Sequence, residues 1–402
     1  MASLLTVFSI LVALAGGLYQ FALKAIIFDT YGIGRVIQPI EDFPYACRRI
    51  THERLQACED IWLDDEARVL YAACTGTEHR LAWNQAMGGL NASGRRPGGA
   101  EIIALDIDKP GADGLFGMRA IKPQGYVGAT GDESLDTVGF DAQIVDESTI
   151  HLYIVNQRPP VDANKEIIDA ALSGANSTIE VFELKRGATE MKHLRTIWSP
   201  DQVWSPNRVA IIGDGAFVVT NDHGAKVGLR KELEPIIGGG NVAYCAASGE
   251  CHAASPTLKF PNGVARGKDG LIYVPSSVDG TIRVFEIQQD KRLKQVDVIH
   301  TKHPLDNIGI DASGDIYVAG FPDLRKMMKA IAKPFEHDAP ATILRIKKSN
   351  GGYQVGKAVE DAEGKIISGA TTARYDVKTG KLFLGAALSP FLVVCNPVRS
   401  PE

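Results

Sequence analysis

Residues 305–318 decide the fold, and they read Leu305-Asp306-Asn307-Ile308-Gly309-Ile310-Asp311-Ala312-Ser313-Gly314-Asp315-Ile316-Tyr317-Val318. An acidic and an amide side chain stand just before a short apolar run. A turn follows, and a second apolar run completes the unit. Turn residues between two alternating runs are a strong sign of a β-hairpin. The unit therefore predicts two antiparallel strands, with polar side chains at the head of the first.

Variants of this unit occur six times along the chain. Their first strands are predicted to begin at Cys58-Glu59-Asp60, Thr137-Val138-Gly139, Ser205-Pro206-Asn207, Phe260-Pro261-Asn262, Leu305-Asp306-Asn307 and Ala370-Thr371-Thr372. The uneven spacing of these starts suits a four-stranded repeat with variable loops, and radial closure of such repeats leaves few exposed sheet edges. We predict an all-β chain with a six-bladed β-propeller over residues 40–398. A β-sandwich is the alternative, but it does not explain why polar residues recur at one phase.

The composition supports a turn-rich β protein. Of 402 residues, 45% are hydrophobic, enough for a full core, and there are 41 glycines and 20 prolines. The net charge is −5 without a long basic run, which argues against nucleic-acid binding. Two segments, Ile167 to Leu172 and Asp323 to Ala332, are predicted as short helices or loop insertions. The second is amphipathic, so it either packs on the ring or acts as a lid or membrane-facing element.

The first 24 residues differ from the rest. Residues 1–23 carry no charge, Leu4 to Leu18 is an apolar run, and Ala13-Leu14-Ala15 is a candidate cleavage site. We predict that residues 1–24 are a signal peptide or an uncleaved signal-anchor, with a buried core segment as the alternative. The expected location is the secretory pathway, with the protein secreted or held at the endoplasmic-reticulum membrane. Membrane association would then run through this segment.

Six cysteines agree with an oxidising compartment. Cys47 precedes the first repeat and Cys395 ends the last, so a bridge between them would lock the ring. The other four bracket a predicted hairpin and a short loop: Cys58 with Cys74, and Cys245 with Cys251. The sequence leaves these pairings open. Two glycosylation sequons, at Asn91 and Asn176, fit the same compartment.

The polar heads of the repeats suggest a metal site. If the first strand of each blade is innermost, its start points to one end of the central channel. Five oxygen-bearing side chains then converge there: Glu59, Asn207, Asn262, Asp306 and Asn307. Carboxylate and amide oxygens without histidine or thiolate favour Ca²⁺ over Zn²⁺. We predict one central calcium site, although each residue alone is also an ordinary turn residue.

With these motifs the chain resembles the serum paraoxonase and arylesterase family, within the broader paraoxonase-, gluconolactonase- and strictosidine-synthase-like propellers. The resemblance covers residues 40–398 and rests on Glu59-Asp60, Asn207, Phe260-Pro261-Asn262-Gly263, Leu305-Asp306-Asn307-Ile308, Cys47 and Cys395. It implies that the five oxygen ligands hold a catalytic calcium deep in the channel. It also implies a ring-closing disulfide between Cys47 and Cys395, and an N-terminal segment that is retained and binds membrane or lipid.

The chain departs from this family at two places. The family has a histidine dyad above the calcium, where this chain has Val138 and Gln157, and neither is a general base near neutral pH. The family also has a second, structural calcium held partly by an aspartate, where this chain has Arg208. We predict that an Asp60–Arg208 ion pair replaces that calcium, since a guanidinium pairs with a carboxylate through two hydrogen bonds. The alternative is that Arg208 points to solvent.

The remaining titratable groups near the channel mouth are Asp222 and His223, which also match the family. The candidate catalytic residues are therefore His223, Asp222 and Gln157. Because both dyad histidines are lost while the metal shell is kept, we expect a ring-forming enzyme of secondary metabolism, of cyclase or hetero-Diels–Alderase type. Its substrate would be a small hydrophobic oxygenated molecule, with Ca²⁺ as Lewis acid. The alternative is a calcium-dependent lactonase or arylesterase that uses His223, and a third reading is a non-catalytic binding propeller.

Overall fold

The computed structural model describes residues 4–349 and 351–398. The first three residues of the predicted leader lie outside these ranges. Within them, the strands form six four-stranded blades around one axis and one short separate hairpin. The predicted six-bladed propeller is confirmed.

The strands are numbered in chain order, and each blade runs from its innermost strand outward. β1 (Tyr45–Ile50) comes first. The four strands of blade 1 are β2 (Cys58–Asp64), β3 (Val69–Cys74), β6 (Glu101–Asp106) and β7 (Arg119–Gln124). A separate short hairpin, β4 (Trp83–Asn84) and β5 (Gly89–Leu90), is inserted between β3 and β6. Blade 2 contains β8 (Thr137–Asp146), β9 (Thr149–Arg158), β10 (Asn176–Lys185) and β11 (Glu190–Ile197). Blade 3 contains β12 (Pro206–Gly213), β13 (Ala216–Asn221), β14 (Asn241–Cys245) and β15 (Cys251–Ala253).

The second half of the ring follows the same plan. Blade 4 contains β16 (Ala265–Arg266), β17 (Ile272–Pro275), β18 (Thr281–Ile287) and β19 (Leu293–His300). Blade 5 contains β20 (Leu305–Ile310), β21 (Ile316–Gly320), β22 (Ala341–Ser349) and β23 (Gly352–Asp361). Blade 6 contains β24 (Thr372–Tyr375), β25 (Leu382–Gly385) and β26 (Leu392–Pro397), and β1 is its fourth strand.

The innermost strands contact one another around the axis in the order β2, β8, β12, β16, β20, β24 and back to β2. Apolar side chains from neighbouring blades fill the space between sheets; Tyr71, Phe140 and Phe182, for example, pack between blades 1 and 2. Tight turns join the strands. Asp214 and Gly215 have φ values of 51° and 75°, which a two-residue type I′ hairpin needs at both central positions.

The ring is closed by the first and last strands. β1 pairs antiparallel with β26, and Cys47 lies directly opposite Cys395. The two cysteines form a disulfide, as predicted. The two pairings that the sequence left open are also disulfides, Cys58–Cys74 across β2 and β3 and Cys245–Cys251 across β14 and β15.

Five of the six predicted repeat heads coincide with the start of an innermost strand to within two residues. Blade 4 is the exception, because β16 begins only at Ala265, five residues after Phe260. Pro261 has no N–H to donate to a ladder, and Phe260 has a positive φ of 38°. The segment therefore makes a single bridge, Pro261 to Ser276, before the strand proper starts.

Helices lie outside the blades. They are α1 (Leu4–Leu18), α2 (Thr77–Ala82), α3 (Ala170–Ser173), α4 (Leu229–Ile237) and α5 (Leu324–Ala332), with π-helical turns at Tyr19–Leu23 and Ile26–Thr30 and 3₁₀ turns at Ile40–Asp42 and Ala92–Gly94. α3 and α5 overlap the two predicted helical segments. Asp323 caps α5 by accepting from the backbone N–H groups of Arg325 and Lys326. Across the described ranges, no helix has the length and apolarity needed to cross a membrane.

Replacing the ring-closing pair, as in C47A/C395A, should lower the free energy of unfolding more than replacing the short-range pair, as in C245A/C251A. The cysteines are 348 residues apart in the first pair and 6 in the second. The chain-entropy model assigns roughly 6 and roughly 2 kcal/mol to loops of these lengths. Denaturant unfolding at equilibrium measures both. Equal losses for the two double variants would contradict this account of ring closure.

Candidate active site

A cavity of about 380 Å³ lies at one end of the channel. Its polar part comes from the heads of the innermost strands, and the residues are Glu59, Asn207, Asn262 and Asp306. Its apolar part comes from Val138 and Phe260 and from the two helices at the mouth, with Pro235 of α4 and Leu324, Met327, Met328 and Ile331 of α5. The cavity thus joins a cluster of oxygen atoms to walls that exclude water.

The structure brings the five predicted metal ligands to this end of the channel. Four of them line the cavity, and Asn307 lies fully buried beside them. The Oδ1 atoms of Asn207, Asn262, Asp306 and Asn307 are buried without a hydrogen-bond partner. Buried polar atoms are nearly always satisfied, so four buried oxygens without partners fit the requirements of a cation site. The donor set, all carboxylate and amide oxygen, suits Ca²⁺.

The amide groups are oriented by the protein itself. Asn307 Nδ2 donates to the Glu59 carbonyl oxygen at 3.1 Å, and Asn262 Nδ2 donates to Ser277 Oγ at 2.9 Å. With each amide nitrogen held, each Oδ1 atom is left free to bind a ligand. The residues therefore fit a hard cation. The described chain has no group of three or more His, Cys, Asp or Glu side chains placed to hold a metal ion, and only two of the five candidate ligands are acidic.

Burial makes it unfavourable for both carboxylates of this cluster to be ionised without a counter-ion. Burial raises the pKa of Glu59. It raises the pKa of Asp306 well above its usual range, and the charge of Glu59 adds to this second effect. Arg80 of α2, itself buried, partly offsets the effect on Glu59. Two ionised buried acids and one buried guanidinium leave a net negative charge, which favours the binding of a cation.

His223 and Asp222 lie side by side where β13 ends. His223 Nδ1 is 2.9 Å from Asp222 Oδ1, and that oxygen also accepts from Ser205 Oγ at 2.5 Å. The imidazole packs on Phe260, with 4.6 Å between ring centroids. His223 lines the cavity, and no hydrogen bond from a described residue occupies its Nε2 atom. A carboxylate-oriented imidazole with a free nitrogen is a suitable general base.

The two positions that replace the dyad have different environments. Val138 lines the cavity as an apolar wall. Gln157 is buried behind the wall, where its Oε1 accepts from the backbone N–H of Gln85 and its Nε2 donates to the Pro206 carbonyl, both at 3.2 Å. Because Pro206 precedes Asn207, Gln157 fixes the backbone beside a metal-ligand candidate. Both ends of its amide are engaged, which suits a positioning residue.

The predicted ion pair between Asp60 and Arg208 is present. Arg208 Nε lies 2.6 Å from Asp60 Oδ2, and both side chains are almost wholly buried. The sequence analysis missed a second guanidinium, that of Arg374, which approaches Asp60 Oδ1 at 3.2 Å. Its signal was a charged residue in the interior of an innermost strand. Asp60 is thus held from two sides in the position next to Glu59.

Several other cavity residues also escaped the sequence analysis. Lys231 of α4 lines the cavity, as does Asn84, whose Oδ1 is buried without a partner. Both lie in insertions between strands, outside the repeat that guided the prediction. The two sequon asparagines are differently placed: Asn91 is exposed, whereas Asn176 is half-buried and accepts from Trp198 Nε1 at 3.0 Å.

Comparison with known proteins gives matches in sequence and in structure. A family model described as Arylesterase matches residues 121–395. Serum paraoxonase/lactonase 3 of Oryctolagus cuniculus is 24% identical over 287 residues, covering 69% of this chain and 75% of that protein. Protein STRICTOSIDINE SYNTHASE-LIKE 3 of Arabidopsis thaliana is 28% identical over 159 residues, covering 34% of this chain and 40% of that protein. A solved luciferin-regenerating enzyme shares the fold, with a TM-score of 0.50, 10% identity and coverage of 88% and 95%.

Substituting Arg208→Met should destabilise the protein by about 3–5 kcal/mol, because it leaves the Asp60 carboxylate buried with one cation fewer. Arg292→Met is the control: this arginine is 76% exposed and lies 3.8 Å from Asp290, which is 64% exposed, and exposed pairs contribute about 0.2–1 kcal/mol. Denaturant unfolding of both variants measures the difference. Similar small losses for the two arginines would mean that the buried Asp60–Arg208 pair does not stabilise the contacts between the innermost strands.

Proposed function

The chain belongs to the arylesterase family, and from this premise we propose that it is a calcium-dependent hydrolase of lactones or aryl esters. One observation supports the proposal above all: the His223–Asp222 pair faces the same cavity as the cluster of unpartnered oxygens. Ester hydrolysis needs a base for water and a centre that stabilises the oxyanion. The cavity supplies candidates for both.

The sequence led us instead to expect a ring-forming enzyme, because Val138 and Gln157 replace two histidines. The comparisons favour hydrolysis, since the family model is that of arylesterases and one relative is named as a lactonase. His223 also offers a base that does not depend on the missing dyad. Ring formation therefore stays a prediction, to be tested by the absence of hydrolysis.

We propose that Ca²⁺ binds to the side-chain oxygens of Glu59, Asn207, Asn262, Asp306 and Asn307. When bound there, it would act as a Lewis acid on the substrate carbonyl. The chain prepares this site by fixing the amide nitrogens of Asn262 and Asn307 and by burying both carboxylates. The Asp60–Arg208 pair, joined by Arg374, takes the place proposed for a second, structural cation.

The remaining steps of the proposed mechanism depend on residues of this chain. His223 Nε2 takes the proton of the attacking water and later returns it to the leaving oxygen. Asp222, with its Oδ1 at 2.9 Å from Nδ1, keeps the imidazole in the required tautomer and stabilises the imidazolium. Phe260 fixes the ring plane from one side. The apolar walls given by α4, α5 and Val138 exclude bulk water and suit a small hydrophobic substrate.

We propose that the protein functions in the secretory pathway, in keeping with its three disulfides. The N-terminal segment would associate with a membrane, because α1 exposes Phe8, Leu11 and Leu14. The segment that follows is tied to the ring: Thr30 Oγ1 donates to the Val278 carbonyl at 2.6 Å. Glycosylation at Asn91 and Asn176 remains a proposal of the same kind.

Purified protein should hydrolyse members of a panel of lactones and aryl acetates, and a calcium chelator should abolish the activity. His223→Gln should lower kcat/KM by about 10²–10⁴-fold, the usual contribution of general acid–base catalysis. Exposed His300 supplies the control, and His300→Gln should leave the rate unchanged. Stopped-time product assays measure all of these. A wild-type protein that binds Ca²⁺ but hydrolyses none of these substrates would favour ring formation. Full activity in the His223→Gln variant would show that His223 is not the general base.

Asp306→Asn should weaken Ca²⁺ binding about tenfold or more, because ligand charge is a main determinant of calcium affinity. The exposed Asp290 offers a matched control, and Asp290→Asn should bind as the wild type does. Isothermal calorimetry with Ca²⁺ gives both affinities without an activity assay. Indistinguishable isotherms for the two variants would place the calcium site elsewhere.

A further inference from the structure

The helix α4 buries two of its four charged residues and exposes most of its apolar ones. Lys231 and Glu234 are buried, with Lys231 only 4% exposed. Leu229 is 77% exposed, and Ile236 and Ile237 are each 62% exposed. A surface helix normally packs its apolar stripe against the protein. The reversed orientation of α4 means that packing alone does not account for the position of Lys231.

The two buried charges of α4 have different partners. The Glu234 carboxylate accepts from the backbone N–H groups of Gly224 and Ala225 and is 3.4 Å from Arg230 Nε, so it holds the loop that follows His223. Lys231 Nζ donates to the Gln85 carbonyl oxygen. An ammonium has three donors, and this is the single hydrogen bond that Lys231 Nζ makes within the described chain. Two donors are therefore left over.

Lys231 is the one lysine or arginine among the described residues that line the cavity. Burial lowers its pKa, and Asp222, Glu232 and Glu234 act in the opposite direction. Within the described ranges, none of these carboxylates forms an ion pair with it. The ammonium lies at the cavity wall without an ion-pair partner, and Glu232 of the same helix lines the cavity as well.

We propose that Lys231 binds a carboxylate of the substrate, so that the preferred substrates are esters or lactones that carry a free carboxylate separated from the reacting carbonyl by a short apolar chain. This inference rests on the proposed hydrolytic function and names its substrate class. A neutral substrate would cover the ammonium and leave its remaining donors unsatisfied, which is unfavourable in a water-excluding cavity. An anionic substrate would satisfy them through charge-assisted hydrogen bonds.

The test compares a matched pair of esters, 4-nitrophenyl butyrate and the mono-4-nitrophenyl ester of glutaric acid. For Lys231→Met, the ratio of kcat/KM for the acidic ester to that for the neutral ester should fall about 10-fold to 100-fold, mainly through KM. Lys231→Arg should keep most of the preference, because the positive charge remains. A wild-type protein without preference for the acidic ester would overturn the proposal, and so would an equal loss for both esters in the methionine variant.

The matched control is Lys226→Met. Lys226 is half-buried, its pKa is lowered by burial like that of Lys231, and its Nζ donates to the Ala175 carbonyl at 2.8 Å. It is absent from the cavity lining, so its replacement should leave the ratio of the two esters unchanged. A fall of the ratio in this variant as large as that in Lys231→Met would attribute the effect to local packing and overturn the proposal.

A binding measurement separates this inference from the hydrolytic function. Glutaranilic acid and butyranilide are amide analogues of the two esters, and calorimetry gives their affinities without turnover. Binding of glutaranilic acid that is lost in Lys231→Met supports the anion site even if neither ester is hydrolysed, in which case the hydrolytic proposal alone fails. Hydrolysis of both esters with equal binding of both anilides removes the anion site and leaves the hydrolytic proposal intact.

Discussion

The carboxylate of Asp60 connects four of the six blades at their inner edge. It accepts from Arg208 on blade 3, from Arg374 and Thr372 on blade 6 and from the backbone of Phe140 on blade 2, while Asp60 itself belongs to blade 1. A buried carboxylate is stable only if its charge and lone pairs are satisfied. The innermost strands therefore have to meet at one place for this group to be accommodated, and the neighbouring residues Glu59 and Asn207 are placed by the same contacts.

Two kinds of surface line the cavity next to Asp60. The strand heads present oxygen atoms, and hydrogen bonds through the amide nitrogens fix two of these groups, those of Asn262 and Asn307. The helices and loops inserted between strands supply the walls, and they bring in His223, Phe260 and Lys231. Because the oxygen atoms come from the ring and most of the wall comes from the insertions, a change in an insertion alters the wall without moving the oxygen cluster. The specificity of this chain is therefore to be sought in its insertions.

The sequence predicted what depends on local chemistry. Turn residues and alternating runs gave the hairpins, and the polar residues at one phase of each hairpin indicated which side chains would share the channel. Blade 4 deviated because Pro261 delays the strand, an effect that the repeat does not reveal. Arg374 was missed because its partner is more than 300 positions away in sequence. Lys231 was missed because α4 itself was not predicted, and only the fold shows that Lys231 and Glu234 turn inward.

The bond between Cys47 and Cys395 makes the covalent skeleton of the domain a closed loop. A protease that nicks one exposed crossing between blades would produce two polypeptides that still belong to one molecule. Neither fragment diffuses away, and each keeps its neighbours on both sides. With such a topology, a first proteolytic cleavage does not separate the fragments, and the domain stays in one piece.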